Sequence, residues 1–107
     1  MNVALNRDPL VESIVSRIAA AIHPDRIILF GSRATGSARA DSDVDLLVVY
    51  SGPRSKRDVE LQIQTLFPRR DFSLDVVVIT PDEFDARRHI ANTLAREVSE
   101  TGIIYHG

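Results

Sequence analysis

"FGSRATGSARADSDVDLLVVY", Phe30 to Tyr50, decides how the rest of this chain is read. An apolar run, Arg26-Ile27-Ile28-Leu29-Phe30, leads into Gly31-Ser32. Ten residues, 33–42, separate that dipeptide from Asp43-Val44-Asp45, which opens a second apolar run closing at Tyr50. Residues i and i+2 of a strand share a face, so Asp43 and Asp45 project side by side and Val44 turns away. Neighbouring carboxylates repel, and one of them is driven towards protonation. A divalent cation removes that conflict. The donors are hard oxygens, with no histidine near them and no cysteine in the chain. That set favours Mg²⁺ (or Mn²⁺) over Zn²⁺.

A third acid extends the pattern. Asp75 heads "DVVVIT", another apolar strand. If that strand lies beside the one opened by Asp43, Asp75 reaches the same cluster. Three carboxylates at one sheet edge suit a two-metal site for in-line displacement at phosphorus. Asp75 then completes a metal site or takes the proton from the attacking hydroxyl. Gly31 lets backbone N–H groups approach a phosphate, and the Ser32 hydroxyl donates beside them. Arg33 either neutralises triphosphate charge or is an ordinary surface residue. Taken singly, each feature has a bland reading: a turn, a solvated strand end, a structural aspartate. Their combination in this order is far more specific.

The flanks supply the scaffold. Asp8-Pro9 reads as an N-cap followed by proline at the first helical position. Leu10, Val11, Ile14, Val15, Ile18 and Ile22 then form one helical face, which ends at His23-Pro24. Residues 1–7 read as a frayed lead-in. Residues 33–42 read as a loop holding at most a turn or two of helix. Val59, Ile63 and Leu66 mark a helix from about Lys56 to Phe67, stopped by Pro68. Thr80-Pro81 opens another helical region, with Ile90, Leu94 and Val98 on one face and Gly102 at its end. "IIY", Ile103 to Tyr105, reads as a final strand. Alternating helices and strands predict one α/β (α+β) domain over residues 1–107, helices packed on a small sheet.

Bulk properties exclude several classes. The chain has 107 residues and a formal net charge of −2, so no global field attracts nucleic acid or anionic lipid. With no cysteine, disulfides and thiolate metal sites are excluded. No apolar run approaches the ~20 residues that span a bilayer, and no secretory leader stands at the start, so the expectation is a cytoplasmic protein. A domain this small gains from a partner subunit or an oligomer.

At Gly31-Ser32, ten residues, then Asp43-Val44-Asp45, the chain resembles the minimal nucleotidyltransferases of the DNA polymerase β superfamily. "SDVDLLVV" and the ending "REVSETGIIYHG" extend the likeness from about Ile27 to Tyr105. The resemblance implies a small mixed, twisted sheet with helices packed on it. It implies Mg²⁺-dependent transfer of a nucleoside monophosphate from a nucleoside triphosphate, most often ATP, to a hydroxyl, releasing pyrophosphate. Asp43 and Asp45 would bind the metals, Asp75 would complete the cluster near the acceptor, and Gly31 and Ser32 would hold the β and γ phosphates. Thr35 departs from a position that is often basic in the family. Small stand-alone members look like antitoxins that bind a HEPN-domain ribonuclease toxin and silence it by adenylylating a tyrosine. The competing reading is an antitoxin that neutralises its toxin by complex formation alone. A small hydroxyl compound or a nucleic-acid 3′ end is a weaker choice of acceptor, for want of a large basic face or a further substrate domain.

Other conspicuous residues stay unpromoted. His23 reads as a helix cap or surface group, and neither His89 nor His106 has ligand spacing with an acid. Arg69-Arg70, Arg87-Arg88, Arg54, Lys56 and Arg57 read as solvated turns and helix ends rather than an interaction surface. Tyr50 and Tyr105 either close a nucleotide pocket or cover the core.

Overall fold

The computed structural model describes residues 1–5, 7–37 and 42–107. Among them the order is β1 (Asn2–Val3), α1 (Pro9–Ile22), β2 (Arg26–Phe30), α2 (Ser32–Thr35) and β3 (Val44–Val49). Then follow α3 (Lys56–Thr65), β4 (Leu74–Ile79), α4 (Pro81–Arg87), α5 (Leu94–Thr101) and β5 (Ile103–His106). The strands form one mixed sheet in the order β1-β5-β2-β3-β4. β2 runs antiparallel to both β3 and β5, whereas β3–β4 and β1–β5 are parallel.

Strand alternation divides the core between the two faces. Leu46 and Val48 of β3 join Ile27, Leu29 and Leu74 under α1 and α3, packed on Val11, Ile14, Ile18, Val59 and Ile63. Leu47, Val49, Ile28 and Ile79 point the other way and meet Phe84, Ala95 and Val98 of α4 and α5. From Leu46 onward each residue of β3 thus serves one layer or the other, which explains the apolar run that follows Asp45.

The helix ends follow the cap chemistry of the sequence. Asp8 accepts from the Leu10 N–H, Pro9 opens α1, and His23 closes it in the left-handed region at φ 55°. Two expectations need correction. Residues 1–7 are not simply a lead-in: Asn2 and Val3 pair in parallel with Ile103 and Ile104. A two-residue strand carries no alternation to detect. The helical region after Pro81 is two helices, not one. Asn92 takes φ 65° between them, and Thr93 caps α5 while its hydroxyl donates to the Arg87 and Ile90 carbonyls. That break resets the helical phase, so Ile90, expected beside Leu94 and Val98, is 54% exposed. No helix among the described residues is long and apolar enough to cross a membrane.

Glu83 ties the layers together. Thr80 and Glu83 form a reciprocal capping box, and the Glu83 carboxylate also takes Lys56 at 3.0 Å and Arg87 at 3.4 Å. The Thr80 N–H and Lys56 hold its pKa down to about 2, from an ordinary value of 4.5. A depressed carboxylate contributes stability that is complete above its unfolded pKa and fades as pH falls towards its folded one. Glu83→Gln is expected to lower stability by about 1 kcal/mol at neutral pH. It should also flatten the loss between pH 4.5 and about 2, read by urea denaturation across that range.

Candidate active site

The site begins with strand register. β2 pairs with β3 so that Phe30 lies opposite Asp45, and β3 pairs with β4 so that Asp45 lies opposite Asp75. The chain turns at Gly31, one residue past Phe30, directly beside the Asp45 carboxylate. Gly31 has φ 76° and ψ −156°, a region essentially reserved for glycine. A Cβ built there would stand 2.3 Å from Asp45 Oδ2. Backbone and carboxylate therefore share a space that no side chain at residue 31 could occupy. Ser32 follows as the first residue of α2, half-buried.

The acids are electrically coupled. Asp45 is partly buried, and burial pushes its pKa up. The charge of Asp75, the charge of Asp43 and a hydrogen bond with Asp75 push in the same direction. Asp75 and Asp43 are exposed, so the polar end of the cluster faces solvent. A fourth acid, Glu97 of α5, adds to the field on Asp45. Nothing in the sequence marks Glu97: it sits on the exposed side of a short helix, and only packing of α5 on the sheet turns its charge towards Asp45.

Among the described residues no three His, Cys, Asp or Glu side chains converge closely enough to hold one ion as they stand. The arrangement is an Asp45–Asp75 pair with Asp43 and Glu97 around it. Its donor chemistry nevertheless suits a hard divalent cation: the groups are all carboxylate oxygens, and the most buried of them is held towards protonation by its neighbours.

Arg33 is engaged away from the carboxylate pair. Its guanidinium donates to Asp8 Oδ2 at 3.0 Å and to the Ser42 carbonyl at 3.0 Å, and its side chain is only 9% exposed. It therefore braces the residue before Asp43 against the N-terminus of α1. Tyr50 and Tyr105 belong to the core under α1 and α3. Their hydroxyls accept from the Arg54 and Asp8 N–H groups. On the opposite face, two residues along from each acid, Leu47 and Val77 floor an apolar cavity of about 360 Å³ walled by Leu94 and Ala95, with Arg87 among its lining. The stretch 38–41 of the loop between Gly31-Ser32 and Asp43 lies outside the described residues.

Gly36 gives an internal control for Gly31. Its φ is 80°, yet nothing lies within 4 Å of a Cβ built there. Gly36→Ala should cost only the backbone term, about 1 kcal/mol. Gly31→Ala should cost about 2–3 kcal/mol, because steric conflict with Asp45 adds to the strain. Removing that carboxylate with Asp45→Ala should recover the excess in a double-mutant cycle measured by denaturant unfolding.

Comparison with known proteins matches this geometry. The model of the nucleotidyltransferase domain family aligns with residues 11–104. A putative nucleotidyltransferase from Sulfolobus solfataricus superposes with TM-score 0.54 at 23% identity, covering 78% of this chain and 85% of that one. A toxin–antitoxin solved with AMP-PNP gives TM-score 0.58, and a mutant of the toxin–antitoxin MntA-HpeT gives 0.62. Both are 20% identical, and each alignment covers 90% of this chain and 73% of the other. No curated protein matches the chain. Glycine turn, facing aspartates, sheet order and family match agree: the chain belongs to the nucleotidyltransferase domain family.

Proposed function

We propose that the chain transfers a nucleoside monophosphate, AMP from ATP, to a hydroxyl of a partner protein, and that it acts as an antitoxin by doing so. The register that sets Asp45 against Asp75 beside the Gly31 turn carries this reading. It sets the side-chain-free backbone of Gly31 directly against paired carboxylates. The antitoxin role draws support from the two toxin–antitoxin neighbours, one solved with an ATP analogue. The proposed acceptor is a tyrosine of a HEPN-domain toxin in the cytoplasm.

In this reading Gly31 and Ser32 hold the β and γ phosphates through backbone N–H groups and the serine hydroxyl. Asp43, Asp45 and Asp75 would hold Mg²⁺ (or Mn²⁺). A cation held by them would supply charge neutralisation at the phosphates and would acidify the attacking hydroxyl. Asp75 stands on the open side of the pair and receives the proton of the acceptor hydroxyl. The acceptor oxygen bonds to the α-phosphorus as the bond to the bridging oxygen breaks, and pyrophosphate leaves. Leu47 and Val77 offer an apolar floor for an aromatic ring, from adenine or from the acceptor.

Asp45→Asn and Asp75→Asn should each lower transfer at least about 10²-fold, measured as label passing from ATP to the partner. The fold should survive. The pKa of Asp45 is raised by folding, so its ionised form opposes the folded state, and removing that charge should leave thermal stability unchanged or increased. Mg²⁺ with a non-hydrolysable ATP analogue should raise the melting temperature of the wild type and not that of Asp45→Asn. A partner that is silenced in a tight complex without gaining mass would instead establish inhibition by binding alone.

A further inference from the structure

Arginines 17, 69 and 70 collect at one place on the α1/α3 side of the molecule. They line a cavity of about 360 Å³ together with Phe67 and Phe72. Among the described residues none of the three makes an ion pair. Neutral groups hold two of them in place. Arg17 donates to the Leu66 carbonyl at 3.2 Å and lies over the Phe67 ring at 5.5 Å, and Arg70 donates to Gln64 Oε1 at 2.6 Å. Three guanidinium charges thus stand together with no carboxylate in ion-pair contact, on a chain whose net charge is −2. Arg7, Arg33, Arg87 and Arg96, by contrast, all face carboxylates.

The cavity does not end there. Arg70 and Phe72 also line a neighbouring polar cavity of about 470 Å³, which reaches Ser42 and Ser73. Ser42 precedes Asp43, and Ser73 lies two residues before Asp75. The two cavities make a trough from the outer surface of α1 to the edge of the carboxylate site.

We propose that this trough docks an acidic segment of a partner protein, its carboxylates on Arg17, Arg69 and Arg70. Guanidinium forks match carboxylates in two-point contacts, and side chains already held lose little freedom on binding. Single-stranded RNA fits the same charges less well. Arg17 already covers the Phe67 ring, and Phe72 meets that ring edge-on at 72°, so neither forms an open stacking platform. Docking does not depend on the transfer reaction, so its test stands apart from any activity.

A fluorescent random copolymer of glutamate and tyrosine is titrated with the protein and followed by anisotropy. A single-stranded oligouridylate of matched charge is run beside it. The wild type should bind the copolymer more tightly than the RNA, and rising salt should weaken it. The double variant Arg17→Glu/Arg70→Glu should lose at least about tenfold in affinity. Arg88→Glu, at the end of α4 and away from the trough, should change nothing. If the reversal variant is misfolded by circular dichroism, Arg17→Ala/Arg70→Ala replaces it, with the same loss expected. Absence of copolymer binding, binding indifferent to both arginine variants, or tighter binding of the oligouridylate would each overturn the proposal.

Discussion

One steric constraint organises this molecule: Asp45 Oδ2 lies 2.3 Å from where a Cβ at residue 31 would be. Three features must hold together for that contact to exist. β2 and β3 must be antiparallel neighbours in the register that sets Phe30 opposite Asp45. The chain must leave β2 through a positive φ. Asp45 must point to the face that β3 does not give to α1 and α3. A one-residue slip of β3 would send Asp45 into the layer formed by Leu46 and Val48 and would expose those side chains instead. The apolar residues of β3 thus fix the position of its acid, and their burial is a condition of the site.

That position carries a tension. A carboxylate pushed towards protonation by burial and by three acidic neighbours opposes folding when ionised. The rest of the structure carries it on two apolar layers, one of them built on α1 with Val11, Ile14, Val15, Ile18 and Ile22 all buried. The acids sit at the mouths of β3 and β4, where solvent screens Asp43 and Asp75, and the strands are wholly apolar beyond them. Charge is confined to the end of the sheet and burial to its middle.

Much of this was legible in the sequence because it rests on short-range rules. Alternation places Asp43 and Asp45 on one face, Asp8-Pro9 and Thr80-Pro81 announce helix starts, and Gly31 marks a turn. The parallel pairing of β3 with β4, needed for Asp75 to join Asp45, was a condition the sequence could state but not decide. What escaped depends on tertiary packing. The charge of Glu97 matters only because α5 lies over the sheet. Asn92 breaks a helix that periodicity would have continued. Arg33 reads as a phosphate ligand or a surface group, yet it braces Asp8 and Ser42. Arg69 and Arg70 look like a solvated turn until folding brings Arg17 of α1 beside them.

Sheet order gives the site its direction. β4 is an edge strand, so among the described residues Asp75 has Asp45 on one side and no further strand on the other. The Asp45–Asp75 pair is consequently asymmetric: Asp45 is wedged against the Gly31 turn, and Asp75 is open to whatever approaches the edge. An exposed edge invites unwanted strand pairing. Here the outward Val78 N–H reaches the Glu60 side chain at 3.5 Å, and α3 packs along β4. The protected part of the edge lies towards the C-terminal end of β4, and the open part lies at Asp75. The same sheet therefore covers its edge along the apolar part of β4 and leaves it accessible at Asp75, the side from which the proposed acceptor would approach.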